Sequence, residues 1–205
     1  MMNGNIDVVI FSLSKFDDPI SSVGFSYAKE FAKKHRVFFI EHPYTWKDYF
    51  SLSKDPQTLK RKELWSGGTK YLSDPSIPEG ITYVVPPRML PVNFLPDGLL
   101  YNKLSAVNDG KMFQLLSSLI KENDIKDFVF YSVFNPFYMI DFPPSIRPLY
   151  KAYLSLDDMS QVAYTARHGV RREGELIRKW EMTFATGKEL QKIKSVFNPK
   201  TEYLP

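Results

Sequence analysis

Short, continuous apolar runs alternate with amphipathic segments along this chain. Residues 7–13 (DVVIFSL) and 37–40 (VFFI) are rich in β-branched and aromatic side chains, a composition typical of parallel strands that are buried on both faces. Over residues 23–32, apolar side chains recur every three or four positions, which predicts a helix that Ser21 or Ser22 is placed to cap. A strand, a helix and a strand in this order predict a right-handed βαβ unit.

The same alternation continues to the end of the chain. Further strands are predicted at residues 81–85, 128–133, 149–156 and 182–185, and further helices at residues 104–122, 174–180 and 188–197. Residues 42–80 are expected to be less regular, and residues 201–204 indicate a further short strand that is cut off at Pro205. The pattern predicts one α/β domain over residues 1–205, a Rossmann-like, doubly wound, mostly parallel sheet of six or seven strands.

The composition excludes several classes of protein. The chain has no cysteine, which excludes disulfides and thiolate chemistry, and its three histidines lack metal-ligand spacing, so no metal site is predicted. No apolar stretch approaches the roughly 20 residues that cross a bilayer, and no signal-peptide pattern is present, so we expect a cytoplasmic location. The net charge of +4 is small and no reading motif occurs, so nucleic acid is a poor fit as a partner. Fingerprints for dinucleotides, Walker-type phosphate loops and the hydrolase nucleophile elbow are also missing.

Polar residues follow the predicted strands at the edge where doubly wound sheets bind ligands. They are Asp17 and Asp18 after the first strand, Glu41 and His42 after the second, Asn135 after the fourth, Asp157 and Asp158 after the fifth, and Thr186 after the sixth. Asp17 or Asp18 can instead shape the turn before Pro19. Glu41 and His42 can simply end a strand, and Thr186 can cap the last helix. Asp157 and Asp158 favour a site slightly, because adjacent carboxylates repel unless donors, a cation or solvent hold them.

Two basic stretches each have two interpretations. Residues 47–70 interleave six Lys or Arg with aromatic side chains, and residues 167–172 contain Arg167, His168 and Arg171. A solvated loop face explains both stretches. Alternatively, cations beside aromatic rings suit an anionic surface such as a membrane interface or a lipid phosphate, which predicts peripheral contact with the inner face of the membrane.

Three stretches, taken in order, are similar to a known family. Residues 8–43 run from VVIFS to VFFIEHP, residues 130–136 (FYSVFNP) lead to the expected cleft, and residues 153–205 hold a DD, E, TGKEL and YLP series. In this order the chain resembles the N-terminal domain of bacterial GT-B glycosyltransferases of the glycosyltransferase family 4 type, especially those of cell-surface polysaccharide synthesis. Two features depart from that pattern: Asn135 stands where many relatives have a His, and the usual glycine pair after the first strand is reduced to Gly24.

The resemblance implies one half of a GT-B fold, with the C-terminal domain that binds the nucleotide-sugar missing from this chain. Such enzymes move a sugar from a nucleotide-sugar donor to a glycan or lipid-linked acceptor, with retention and without a metal. This domain alone is therefore expected to bind no cofactor and to be inactive.

The resemblance and the polar edge together give the expected site residues. Asp158 is expected to orient acceptor hydroxyls or take a proton, and Asn135 to hydrogen-bond a hydroxyl in place of the usual His. The expected acceptor-binding residues are Asp17, Asp18, His42, Asp157, Arg167, His168 and Arg171. The alternative function is a non-catalytic Rossmann-like module that binds a ligand or a partner.

Overall fold

The computed structural model describes residues 6–19, 22–52, 54–161 and 163–205, which form one mostly parallel sheet flanked by helices. The strands are β1 (Asp7–Ser12), β2 (Val37–Ile40), β3 (Tyr71–Leu72), β4 (Ile81–Val84), β5 (Phe128–Val133), β6 (Tyr150–Ser155), β7 (Met182–Ala185) and β8 (Thr201–Tyr203). Their order is β3-β4-β2-β1-β5-β6-β7-β8, and all neighbours are parallel except β3 and β4. This confirms the predicted Rossmann-like, doubly wound α/β class. The sheet has eight strands rather than six or seven, because the short β3, in the region expected to be irregular, pairs with β4.

The helices are α1 (Val23–Ala32), α2 (Trp46–Ser51), α3 (Pro56–Ser66), α4 (Leu99–Glu122), α5 (Ala163–Lys179) and α6 (Lys188–Ser195), with a 3-10 turn at Met159–Gln161. Both α2 and α3 lie where the sequence predicted irregular structure. Each begins at a strong side-chain cap: Thr45 and Asp48 form a reciprocal capping box, and Asp55 caps α3 with Pro56 in its first turn. Capping therefore defines these two helices more than apolar periodicity does.

Two helix starts show how local sequence and packing combine. α5 begins at Ala163 rather than at residue 174, because Thr165 and His168, and not aliphatic side chains, are its buried positions there. α1 begins after Ser22, whose hydroxyl accepts a hydrogen bond from the Phe25 N–H, and Ser21 lies outside the described residues.

Gly24 lets the first turn of α1 lie directly against β1. A Cβ added at this position would lie 2.5 Å from Ser12 Oγ, closer than any side chain tolerates. The absence of a side chain thus sets the distance between the helix and the end of β1.

Each face of the sheet carries its own hydrophobic core. Along β1, Val9 belongs to a core with Leu116 of α4 and Leu176 of α5. The next residue back, Val8, belongs to the opposite core with Phe25 of α1. This is why the central strands are apolar without a break: successive side chains enter different cores.

The centre of the sheet is a point at which the chain changes direction. It leaves β1 through α1 toward β2 on one side, and it returns through α4 to β5 on the other side. The carboxyl ends of β1 and β5 therefore border the crevice where doubly wound sheets bind ligands. None of the helices in the described ranges is long and apolar enough to cross a membrane.

Candidate functional site

Three strand ends meet at the crevice between β1 and β5. Asn135 is fully buried, and its Nδ2 donates to the backbone oxygen of Ser12 at 3.3 Å and to Nδ1 of His42 at 3.1 Å. A backbone carbonyl only accepts hydrogen bonds, so the amide nitrogen of Asn135 must face Ser12. Ser132 Oγ donates to the backbone oxygen of Asn135 at 3.0 Å, and Phe134 takes a left-handed conformation with φ of 53°. A bulky residue rarely adopts that conformation, and such outliers cluster at functional sites.

His42 is neutral, and one of its ring nitrogens is left to donate. Because Nδ1 accepts from Asn135, the proton of the neutral imidazole lies on Nε2. Burial, and then the positive charge of Lys15, lowers the pKa of His42 to about 3. The ring makes edge contacts with Phe137 and Tyr138 at centroid distances of 6.2 and 5.6 Å. At neutral pH, His42 is therefore a hydrogen-bond donor and a poor proton acceptor.

Two buried polar atoms near the crevice have no hydrogen-bond partner among the described residues. They are Asn135 Oδ1 and Ser105 Oγ, in residues that are 0% and 7% exposed. Leaving such an atom unpaired costs about 1–3 kcal/mol, so native proteins keep few of them. Ser105 lines the same cleft as His42. The arrangement favours a polar ligand, or bound water, at this position.

A cleft of about 380 Å³ opens beside His42. Phe137 and Tyr138, which follow β5, form one wall. Another wall comes from the segment that leads into α4 and from its first turns, with Phe94, Tyr101 and Ser105. Aromatic walls with a few placed polar groups are typical of small-molecule sites.

Two cations line this cleft without a carboxylate partner in the described part of the chain. Lys47 comes from α2 and Arg167 from α5, and both side chains are exposed. Asp48 also lines the cleft, but its carboxylate accepts hydrogen bonds from the N–H and the hydroxyl of Thr45. The free charges are therefore positive, which favours a ligand with an anionic group.

A larger cavity, of about 660 Å³, lies away from the crevice, beside β3 and α4. Its two lysines already have partners: Lys70 donates to Ser118 and Glu122, and Lys111 donates to the backbone oxygen of Arg88. The unpaired buried atoms lie elsewhere, so we assign the candidate site to the smaller cleft.

Asp17 and Glu41 hold a buried arginine. Arg61 is 0% exposed, and its guanidinium makes two-pronged ion pairs with Glu41, at 3.1 and 2.6 Å, and with Asp17. Tyr83 adds a hydrogen bond to Glu41 at 2.7 Å. Sequence reasoning missed Arg61, because a basic segment usually indicates a solvated surface. The network ties α3 to the ends of β1, β2 and β4.

The other predicted carboxylates close turns at the edge of the sheet. Asp18 accepts from the Lys15 N–H at 2.7 Å, which is the turn that its alternative interpretation described. Asp157 accepts from the Asp158 N–H at 2.8 Å. Asp158 accepts from the Ser160 N–H at 2.9 Å, and hydrogen bonds from Ser160 lower its pKa. Neither Asp157 nor Asp158 lines the cleft described above.

The basic residues of α5 have two roles. Arg167 carries a charge without a carboxylate partner among the described residues, and His168 and Arg171 hold a neighbouring segment in place. Arg167 lines the cleft. The ring nitrogens of His168 lie 3.0 Å from Asp97 Oδ1 and 2.9 Å from the backbone oxygen of Leu95, and its ring stacks on Tyr101 at 3.8 Å. Arg171 also contacts Asp97, at 3.2 Å. His168 and Arg171 thus position the wall of the cleft by fastening the segment before α4 to α5.

The predicted helix cap at Thr186 is wrong. Gly187 occupies the cap position of α6, and Thr186 instead donates its hydroxyl to the backbone oxygen of Leu156 at 2.8 Å. Tyr101 and Ser105 were also not predicted as site residues. Tyr101 precedes the part of α4 where apolar periodicity is visible, and Ser105 lies at its start. Lys15 was missed as well, although it follows β1 and so met the rule that selected Asp17.

Within the described ranges, no three His, Asp or Glu side chains lie close enough together to hold a metal ion. Arg61 belongs to a different hydrogen-bonded group from the His42–Asn135 pair, so the polar crevice is built from neutral donors and acceptors beside the exposed cations Lys47 and Arg167. The sequence matches no protein-family model and no curated protein, so the function is argued from this geometry.

Proposed function

We propose that this chain is the acceptor-side domain of a glycosyltransferase that moves a sugar from a nucleotide-sugar to a glycan or glycolipid acceptor. The observation that carries the proposal is the hydrogen-bonded pair of buried Asn135 and partly exposed His42 at the crevice, where His42 lines a cleft of about 380 Å³. His42 lines the cleft and has Nε2 left as a donor for a hydroxyl, and Asn135, buried behind it, fixes the tautomer of the ring. The resemblance to GT-B glycosyltransferases supports the same conclusion.

The lining of the cleft suits a sugar. A sugar ring presents apolar C–H surfaces and several hydroxyls, so it needs aromatic faces and hydrogen-bonding groups together. Phe94, Phe137 and Tyr138 supply the first, and Ser105 supplies an unpaired hydroxyl. The volume lies within the range of about 300–1,000 Å³ that small-molecule sites occupy.

In this proposal, His42, held in place by Asn135, orients the acceptor hydroxyl and does not deprotonate it. The hydroxyl oxygen forms the new bond to the sugar carbon while the bond from that carbon to the diphosphate breaks, and the diphosphate leaves with the electron pair. The hydroxyl proton then passes to an oxygen of the leaving diphosphate, because an amide and a histidine of low pKa are poor bases. Holding the hydroxyl against the reacting carbon, on the face from which the diphosphate leaves, retains the configuration and is a contribution that positioning alone supplies.

A catalytic role for Asp158 stays a prediction. Its carboxylate follows β6, which is separated from β1 by β5, and it accepts hydrogen bonds within its own turn. A substrate bound in the cleft at His42 would have to extend past the end of β5 to meet it.

The proposal is tested by saturation-transfer NMR of this chain with a panel of methyl glycosides and nucleotide-sugars. We expect glycosides to bind and nucleotide-sugars to bind only weakly. His42→Gln and Ser105→Ala should each weaken glycoside binding by about five- to tenfold, the loss of one hydrogen bond. His35→Gln is the matched control, because His35 precedes β2 at the opposite edge of the sheet and contacts the Ile6 backbone oxygen at 2.9 Å.

Three outcomes would contradict the proposal. Glycosides that do not bind would remove the acceptor site. Equal losses in the His42 and His35 variants would place that site elsewhere. Tight, stoichiometric binding of a nucleotide-sugar would show that the donor site lies on this chain. Glycoside binding in a protein that never transfers sugar would favour the alternative, a non-catalytic binding module.

A further inference from the structure

We infer that the mouth of the cleft docks on an anionic membrane surface. Large apolar side chains are exposed on two segments that border the cleft. Ahead of and within the first turn of α4, Phe94, Leu99 and Leu100 are 64%, 81% and 59% exposed. On α2, Trp46 and Phe50 are 37% and 69% exposed. Grouped apolar exposure of this kind marks a surface that meets a partner or a membrane.

The two segments that carry these exposed apolar side chains are neighbours in the fold. The Trp46 N–H donates to the backbone oxygen of Met89 at 2.9 Å, which joins the start of α2 to the chain that leads toward Phe94. Lys47 of α2 and Phe94 line the same cleft from different sides. We call the surface formed by Trp46, Phe50, Phe94, Leu99 and Leu100 the apolar rim.

Free cations are interleaved with the apolar rim. Lys47, Lys54 and Lys103 are exposed, and none pairs with a carboxylate among the residues that the structure describes. The nearby acids are already engaged: Asp48 in the cap of α2, and Asp97 with His168 and Arg171. The charge that this surface offers to a partner is therefore positive, which complements anionic lipid headgroups.

The mixture of apolar and basic side chains favours a membrane over a protein partner. The centre of a protein interface is depleted in charged residues, because each buried charge loses its hydration. At a membrane surface the two types coexist, since aromatic and leucine side chains enter the headgroup region while lysines reach the phosphates. A cation and an aromatic ring already lie together at this surface, with the guanidinium of Arg88 4.2 Å from the ring centre of Trp46. Docked in this way, the cleft opens onto the lipid surface.

The test is co-sedimentation of this chain with vesicles of phosphatidylcholine alone and with vesicles in which phosphatidylglycerol replaces part of that lipid. We expect binding only to the second kind, weakened by added salt. Lys54→Gln combined with Lys103→Gln should weaken binding by about thirtyfold, from the attraction expected of two lysines. Leu99→Ser with Leu100→Ser should weaken it by roughly tenfold or more. Ile193→Ser with Val196→Ser is the matched control, because these side chains are 50% and 82% exposed at the end of α6, away from the rim.

Tryptophan fluorescence reports the orientation independently. The vesicles should shift the emission of the wild-type chain to shorter wavelength. Trp46→Phe should abolish that shift, and Trp180→Phe should keep it, because Trp180 is buried.

Several results would overturn the inference. They are equal binding to both kinds of vesicle, an equal loss in the α6 control, and a fluorescence shift that survives Trp46→Phe. An oligomer that dissociates in the Leu99 and Leu100 variant while vesicle binding persists would assign the rim to a second copy of the chain. The vesicles contain no sugar, so these outcomes are independent of the proposed glycosyl transfer.

Discussion

Acidification should destabilise this protein through His42. The pKa of His42 falls from 6.5 to about 3 on folding, because burial and Lys15 disfavour the charged ring. The folded chain therefore binds this proton more weakly than the unfolded chain does. The stabilisation from neutral His42 is complete above the unfolded pKa, and it is lost as pH falls from about 6.5 toward 3.

The size of this effect follows from the two pKa values. Between about pH 7 and pH 5, the proton taken up by the unfolded chain lowers the free energy of unfolding by about 2 kcal/mol. The figure is the same for a folded pKa of about 3 or about 4, since at pH 5 the folded ring is neutral in both cases. The carboxylates with lowered pKa values contribute below this window.

Urea unfolding at both pH values measures the effect. His42→Gln should remove most of the pH dependence, because Gln can accept from Asn135 and cannot be protonated. Lys15→Gln should reduce it, because the charge of Lys15 disfavours the protonated His42 ring. An equal pH dependence in wild type and His42→Gln would refute the reasoning, as would an NMR titration that gives His42 an ordinary pKa.

Two further predictions concern the fold. Gly24→Ala should destabilise the protein by about 1–3 kcal/mol, because the new Cβ would lie 2.5 Å from Ser12 Oγ. Gly110→Ala, in α4 where the added carbon meets no neighbouring element within 4 Å, should stabilise the protein by about 0.5–1 kcal/mol. Thermal unfolding measures both variants, and a higher melting temperature for Gly24→Ala than for Gly110→Ala would contradict the packing of α1. Arg61→Met should cost about 3–5 kcal/mol in urea unfolding, because it leaves two carboxylates beside a vacated charge. Lys33→Gln removes an exposed ion pair with Glu30, whose two side chains are 65% and 67% exposed, and should cost about 1 kcal/mol or less. Equal losses of unfolding free energy in the Arg61 and Lys33 variants would contradict the burial of Arg61.

Strands and helices differed in how well the sequence predicted them. The central strands were predicted because an apolar run that feeds two cores is visible residue by residue, as Val8 and Val9 show. α2 and α3 were missed because side-chain caps define them. α5 begins eleven residues before its predicted start at residue 174, because Thr165 and His168 take the buried positions there. β3 was missed because two residues form a strand only when a partner strand is already in place.

The sequence predicted the edge of the sheet at which the candidate site lies, but not which residues contact one another there. Polar residues after each strand indicated the ligand-binding edge, and His42 lines the cleft with Asn135 hydrogen-bonded behind it. Arg167, predicted from the basic stretch of residues 167–172, also lines the cleft. The same rule also selected Asp17 and Asp158, which bind Arg61 and close a turn. Residue type alone does not distinguish a free polar group from one with a partner, because the partner comes from another part of the chain.

The sequence by itself determined the alternation of buried strands and helices, and with it the fold class, because each side chain there responds to its own local environment. Only the tertiary structure decided which polar groups meet. Asn135 and His42 lie 93 residues apart in the chain, and they touch because the sheet places β2, β1 and β5 side by side. The same ordering buried Arg61 between two carboxylates and left Lys47 and Arg167 without one among the described residues. Charge pairing and burial depend on neighbours in space, so they follow from the assembled fold and not from any one segment of it.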